Sequence, residues 1–397
     1  MSSFPSLFEC IIFQKGVRKI ITAVIAEFNP LHKGHHSLMQ GINDGCIVIL
    51  SSNFTQRGSP ALTDKFIRAD MAMKAGADLV IELPFLFACS AGQDFARGAV
   101  DIIARSGLAD SIAFGMEDLN FPFEDLANKI NCQPEKLNFG LRFNLQKGIS
   151  YSKAHALALE DIMPGAYEFV SKPNNMLALS YTLEIKRHGC NLKIIPVKRT
   201  GDFRSRLIRE DMKHNLDMMP EFAKNILTDA EADGRLADES KLWPLLQSIF
   251  IRSKREDLRR IYGIDEGIEG LFIKHWRDSH GLDDFIGRCV CARYTRAHIR
   301  RRLIYILLGL ERYDVTGAVR EGVPYARVLA FNDRGRMILR ERSDSSCVHV
   351  ITRLKDAEGR RGKFFAQTEF RASLLYELLT GKPDMNHETH RVLQFLQ

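Results

Sequence analysis

Residues 20–28 read IITAVIAEF, and the next seven are Asn29-Pro30-Leu31-His32-Lys33-Gly34-His35. The first stretch is apolar at consecutive positions and rich in β-branched residues, the pattern of a strand buried on both faces. The second stretch opens with a turn. Pro30 fixes its own φ and keeps Asn29 out of the helical region. His32 and His35 are three residues apart, so at a helix start they face one side. Gly34 between them lets a ligand approach the backbone. The helix N-terminus beyond offers unpaired amides and a positive dipole to phosphate. Two imidazoles and that dipole can hold a triphosphate and stabilise departing pyrophosphate. A lone histidine is more often a packed or surface residue. A pair in His-x-Gly-His directly after a buried first strand points instead to nucleotide binding.

Further apolar runs lie at residues 46–51 (CIVILS), 78–83 (DLVIEL), 111–114 (SIAF) and 192–197 (LKIIPV). Helical patterns occupy residues 35–41, 63–75 and 93–106. Apolar strands separated by helices imply a parallel sheet covered on both faces, with the ligand beyond the strands' carboxyl ends. Farther on, residues 221–262, 268–310 and 365–380 read as helices, and residues 324–332 and 347–352 as short strands. The expected fold class is α/β. A Rossmann-like parallel-sheet nucleotidyltransferase domain spans residues 21–212, and a mainly helical, basic α+β domain spans 213–397. Residues 1–20 form an N-terminal extension.

A chain of 397 residues is long for one compact core and fits two domains. Its 45% apolar and 26% charged residues place it among water-soluble globular proteins. No apolar run reaches the roughly 18 residues that a membrane span needs. The first twenty residues lack the order of a signal peptide, so the expected location is cytoplasmic and no membrane partner is expected. Of eight cysteines only Cys289 and Cys291 lie close together, which is not zinc-site spacing, so no metal ligand is assigned. Neither a P-loop nor a Gly-x-Gly-x-x-Gly turn is present. The net charge of +7 is uneven: residues 288–302 hold six arginines and no acid, and residues 334–363 are also basic. Such clustering fits either a polyanion partner or a solvated helix face.

His32-Lys33-Gly34-His35 resembles the HxGH signature of the nucleotidyltransferase superfamily, which includes the class I aminoacyl-tRNA synthetases. Further segments narrow this. They are Asn53-Phe54-Thr55-Gln56-Arg57-Gly58, Val80-Ile81-Glu82-Leu83-Pro84-Phe85, Phe114-Gly115-Met116-Glu117, Pro173-Asn174-Asn175 and Lys198-Arg199. In this order, over residues 22–383, the chain resembles the tRNA(Met) cytidine acetate ligase family. The resemblance implies that acetate and ATP give acetyl-adenylate and pyrophosphate. The N4 amine of the wobble cytidine of elongator tRNA(Met) then attacks, releasing AMP.

By motif matching, the ATP-contact stretch is Ile25, Ala26, Glu27, Phe28, Asn29, Pro30, Leu31, His32, Lys33, Gly34, His35, His36, Ser37 and Leu38. His32 and His35 carry the catalytic role. Gly115 permits close approach to the nucleotide, Asn174 suits adenine or ribose, and Arg199 suits phosphate or the acetyl-adenylate. Turn chemistry and a surface ion pair are the plainer readings of Asn174 and Arg199. Gln56, Arg57 and Asp64 form a second tier. Arg293, Arg296, Arg300 and Arg301 are expected at the tRNA backbone, with Tyr294 either stacking on a base or packed in the core. ATP is expected as substrate. Mg²⁺ is chemically sensible with it, although no acidic cluster demands the ion.

Two segments depart from the family pattern. Residues 203–209 (FRSRLIR) carry arginine where small hydroxyl residues are usual, with Arg206 placed to neutralise phosphate. Cys291-Ala292 replaces Thr-Lys. Two rival readings therefore stand beside the ligase: an adenylyltransferase of a small metabolite, and a non-catalytic RNA-binding protein with a relic nucleotide site. The first leaves the basic C-terminal part unexplained, whereas the arginine-rich loop keeps the second open.

Overall fold

The computed structural model describes residues 19–395 apart from 200, 202, 343–345 and 391–393. Most of the extension expected at residues 1–20 lies outside the described residues. Among the described residues eight strands form one sheet: β1 (Thr22–Ala26), β2 (Cys46–Ser51), β3 (Leu79–Leu83), β4 (Ser111–Met116), β5 (Lys193–Lys198), β6 (Tyr325–Phe331), β7 (His349–Ile351) and β8 (Gln394–Phe395). Their order is β5-β4-β1-β2-β3-β6-β7, with β8 also paired to β6. The first five strands are mutually parallel, and the order reverses between β1 and β4. That reversal is the switch point where open α/β sheets bind ligands.

Both faces of the sheet are covered, which is why its central strands read as continuous apolar runs. Ala23, Ile47, Ile49, Ile81 and Ile112 pack on one side. Val24, Val48, Leu50, Val80 and Ala113 pack on the other. The covering helices used below are α1 (Lys33–Gln40), α2 (Lys65–Lys74), α3 (Gly92–Ser106), α4 (Pro134–Gln146), α5 (Tyr151–Glu160), α6 (Pro173–His188), α7 (Ser205–Glu210), α8 (Arg296–Leu308) and α9 (Gly359–Glu377). Local chemistry sets their ends. Asp64 caps α2 by accepting from the Phe66 and Ile67 amides at 2.8 and 3.0 Å. Pro173 opens α6, and Gly189, at φ 62°, closes it.

The two long helices expected at 221–262 and 268–310 are each broken into shorter pieces, including Glu221–Ala232, Leu242–Arg252, Ile268–His275 and Leu282–Cys289. Gly234 takes positive φ at the first such break, a conformation that ends helices. The strands expected near 324 and 347 do not build a layer of their own. β6 runs antiparallel to β3 and so continues the N-terminal sheet across the boundary drawn at residue 212/213.

A buried charge network fastens this return. Lys65 lies 2.5 Å from Glu82, 2.9 Å from Glu369 and 3.0 Å from Glu388. Arg327 lies 3.1 Å from Glu82 and also pairs with Glu388. All five side chains are almost wholly buried. Burial alone would raise Glu82, but Lys65 and Arg327 outweigh it and hold the group down to about 2. Burial, then the Glu82 carboxylate, pushes Glu369 up to about 8. With Glu369 protonated, two cations face two anions and the buried charge cancels.

The folded state thus keeps a proton on Glu369 that the unfolded chain loses near the usual glutamate value. Its contribution to stability is complete below about pH 4.5 and is lost as pH rises through about 8. Glu369→Gln mimics the protonated carboxyl. Its stability relative to the parent is expected to improve from pH 5 to pH 8 by about 1–3 kcal/mol, read by urea unfolding; a difference independent of pH would count against the shared proton. Lys65→Met leaves Arg327 as the one cation beside Glu82 and Glu388, so a buried negative charge goes uncompensated, and it is expected to cost about 3–5 kcal/mol in the same unfolding measurement.

Candidate active site at the carboxyl ends of the strands

His32 occupies the N-cap of α1 and His35 its third position. Each ring binds the other's backbone: the His35 amide donates to His32 Nδ1, and the His32 amide to His35 Nδ1, both at 3.3 Å. The rings stack with centroids 3.7 Å apart and planes 13° from parallel. Burial and then Arg199 bring the His32 pKa down to about 4. Burial, then His32 and Arg199, hold His35 well below its ordinary value. Both rings are therefore neutral near pH 7. Because each Nδ1 accepts an amide proton, the ring proton must sit on Nε2. The pair offers two oriented, uncharged N–H donors. A Cβ on Gly34 would lie 3.1 Å from His32 Cε1, so this glycine makes room for the stacked rings.

The turn that delivers the pair is held from several sides. Phe28 adopts φ 44°, in the left-handed region that costs a non-glycine residue energy, and it is buried. Asn29 Oδ1 accepts from the Leu62 amide at 2.7 Å, and Glu27 Oε1 from the Gln56 amide at 2.7 Å. Arg209 donates to the Asn29 carbonyl, and the Ser205 hydroxyl to that of Pro30 at 3.0 Å. The divergent loop at residues 203–209 thus closes over the turn, with the Phe203 ring centroid 6.3 Å from that of His32. Arg206, expected to neutralise phosphate, is mostly exposed and pairs with Glu210 at 2.7 Å.

Across the switch point, Glu117 follows β4. Its carboxylate accepts from Asn174 Nδ2 at 2.6 Å and from the Asn175 amide at 3.1 Å, and lies 3.7 Å from Arg199. Arg199 also donates to the Phe203 carbonyl at 3.1 Å. A Cβ on Gly115 would sit 3.1 Å from Arg199 Cγ, so this glycine lets the arginine lie against the strand end. Gly115, Asn174 and Arg199 are therefore brought together, with Glu117 as the joint between them. Asn175 is fully buried, and its Oδ1 accepts from the Glu117 and Asp118 amides at 2.9 and 3.3 Å. Of the two adjacent asparagines, Asn175 fixes the turn and leaves Asn174 less buried, its amide on Glu117.

A cleft of about 1770 Å³ opens beside this site, its walls including Gln56, Arg57, Pro173 and Arg209. Arg293, Arg296, Arg300 and Arg301 line it too. They are not equivalent. Arg296 pairs with Asp283 and Arg300 with Glu239, whereas Arg293 is more than half exposed, 3.8 Å from Glu266. Arg301 is largely buried and donates to the Gln56 carbonyl at 2.9 Å, tying α8 to the loop after β2. Tyr294 is buried, and its hydroxyl donates to the Glu266 carbonyl at 2.8 Å, which is the core role. Asp64, a second-tier candidate, is the buried cap of α2 and pairs with Arg235 and His387.

A family model described as HIGH Nucleotidyl Transferase matches residues 20–391. The tRNA(Met) cytidine acetate ligase of Syntrophomonas wolfei is 33% identical over 372 residues, covering 86% of this chain and 89% of that protein. That of Fervidobacterium nodosum is 31% identical over 354 residues, covering 84% and 83%. The chain belongs to the tRNA(Met) cytidine acetate ligase family of HIGH nucleotidyl transferases. Among solved structures, Thermotoga maritima TmcAL bound with alpha-thio ATP superposes with a TM-score of 0.84 at 25% identity, covering 93% of this chain and 96% of that one. Its apo form gives the same TM-score at 27% identity. The chain is thus a ligase with ATP as substrate.

Sequence reasoning missed Glu117 as a joint, Asn175 as a turn lock, and Arg68. Buried Arg68 donates to the carbonyls of Thr63, Glu27 and Ser52 at 3.1, 2.7 and 2.6 Å. No local signal separates such an arginine from a surface one.

Because both histidines are already neutral, ATP–pyrophosphate exchange is expected to show no inflection near pH 6.5 and to fall only toward the value of about 4 at His32. A pH profile of kcat/KM for ATP checks this, and a step at pH 6–7 that His35→Ala removes would contradict it. Gly34→Ala is expected to slow exchange by about 10-fold or more through displaced rings, with thermal stability little changed.

Proposed function

We propose that the enzyme couples acetate to ATP at the His32/His35 pair, then transfers the acetyl group to N4 of the wobble cytidine of elongator tRNA(Met) in the adjoining cleft. The observation that carries this reading is a mutually capped histidine pair at the switch point next to an arginine-lined cleft of about 1770 Å³, with Arg209 both in the cleft wall and bonded to the Asn29 carbonyl of the histidine turn. Acetate is already a nucleophile. One of its oxygens attacks the α-phosphorus, and the bond to pyrophosphate breaks. Nothing in that step needs a proton moved, so alignment and charge stabilisation suffice. Neutral Nε2–H donors suit the task, since they can strengthen toward developing negative charge without a prior protonation. Arg199 supplies the positive charge beside them.

In the second step N4 of cytidine attacks the acetyl carbon, the bond to AMP oxygen breaks, and N4 gives up one proton. The wobble base is unpaired and can be splayed into a cleft, as RNA-modifying proteins require. Arg293 is the best placed of the four arginines to meet a phosphate, because it is exposed and its acid partner is distant. Arg296 and Arg300 would have to exchange carboxylates for phosphates, and Arg301 acts through the Gln56 loop. Among the described residues no three potential metal ligands converge, so Mg²⁺ arriving with ATP would be held mainly by the phosphates. No helix among the described residues is long and apolar enough to cross a membrane, and a tRNA substrate is consistent with action in the cytoplasm.

Labelled acetate, ATP and total tRNA are expected to yield labelled N4-acetylcytidine on nuclease digestion, and His35→Ala to lose it by at least about 100-fold. ATP turnover with unlabelled tRNA and a labelled small-molecule adduct would favour a metabolite adenylyltransferase. RNA binding without ATP turnover would favour a relic site.

A further inference from the structure

Helix α4 carries an unusual outer face. Gly140 and Asn144 are buried, and a Cβ on Gly140 would come within 3.1 Å of the Ala158 Cβ on α5, so this side is the packing face. Phe139 and Phe143 point elsewhere, 73% and 53% exposed. They stand one helical turn apart, their rings 6.4 Å between centroids and 8° from parallel. Two adjacent phenylalanines left largely in water forgo burial that a partner could supply, and a contiguous exposed apolar patch is a candidate contact surface. Lys147 Nζ lies 4.3 Å from the centre of the Phe143 ring. Residues 134–153 hold Lys136, Arg142, Lys147 and Lys153 against one acid, Glu135.

The same surface runs into the cleft. Leu145, Gly148 and Tyr151, just beyond the exposed rings, line its wall. Tyr151 is itself about half exposed and stacks on His155 with planes 9° from parallel. A protein partner would favour an apolar patch with charges excluded from its centre. Flat exposed rings interleaved with lysine and arginine match single-stranded RNA instead, where bases stack on aromatics and cations take phosphates.

We propose that α4 is a second RNA-contact surface, at which unpaired nucleotides of the tRNA stack on Phe139 and Phe143 while Arg142 and Lys147 meet the neighbouring phosphates. This rests on the reading of tRNA as substrate. The surface would grip the nucleotide chain outside the cleft and help to direct the wobble base inward past Tyr151.

The test compares the full-length parent, Phe139→Ala/Phe143→Ala and Phe139→Trp/Phe143→Trp. The measurements are tRNA Kd by filter binding, KM for tRNA, and acetate-dependent ATP–pyrophosphate exchange without tRNA. The alanine pair is expected to raise Kd and KM for tRNA by about 10-fold or more, with exchange unchanged. The tryptophan pair, which keeps a stacking face, should bind within about 3-fold of the parent. Equal tRNA affinity in the parent and the alanine pair would overturn the proposal and leave the substrate reading intact. A parent that neither binds nor acetylates tRNA would remove both. Altered sedimentation of the alanine pair with unchanged tRNA affinity would make the surface a contact between copies of this chain, which also overturns it.

Discussion

Arg68 ties the carboxyl ends of β1 and β2 to the start of α2. Its guanidinium is wholly buried and donates to the carbonyls of Glu27, Ser52 and Thr63. A buried cation of this kind is tolerated only where its protons find acceptors, and removing those acceptors is expensive. The strand ends therefore cannot drift apart without stranding a charge. This matters because the next residues, from Phe28 to His35, depend on the direction in which β1 releases the chain. Phe28 is held at a left-handed φ, Asn29 is gripped by Leu62 and Arg209, and only then does His32 arrive at the N-cap of α1.

In the proposed reaction the histidine pair turns that placement into chemistry. Reciprocal capping removes rotational freedom from both rings and fixes their tautomer. Burial and Arg199 keep them uncharged. A cationic pair stacked at 3.7 Å would repel itself, so neutrality is a condition of the stacking as well as of the donor role. Arg199, drawn in by Glu117 and admitted by Gly115, then places its positive charge outside the pair rather than on it. The carboxylate of Glu117 organises three groups across the switch point, a role that residue type alone does not announce.

How much of this was legible beforehand follows from the range of the interactions. β1 to β5 and the paired histidines were readable because their signals are local: continuous apolar runs, a proline turn, and spacing along one helix. The pairing of β3 with β6 was not. Glu82 and Arg327 are brought opposite each other from distant parts of the chain, and no local pattern states which sheet a late strand will join. The helices between β4 and β5 carry a weaker local signal, one stripe in which Phe123, Leu126, Ala127 and Ile130 are spaced as a buried helical face. The arginine run at residues 288–302 was legible as charge but not as geometry. Thr295 caps α8 and Ile299 and Leu303 bury its other side, so Arg301 is drawn under the Gln56 loop while Arg293 stays in water.

The two proposed chemical steps, in adjoining spaces, imply an intermediate that outlives the first. The most direct measurement is a chase. Enzyme is incubated with labelled acetate and ATP without tRNA, freed of small molecules by rapid gel filtration, and then given tRNA with no ATP. Transfer of close to one labelled acetyl group per active site to tRNA, as N4-acetylcytidine, is the expected result. Label that does not travel with the enzyme, or that travels but is never transferred to tRNA, would contradict activation at the histidine pair followed by transfer in the adjoining cleft.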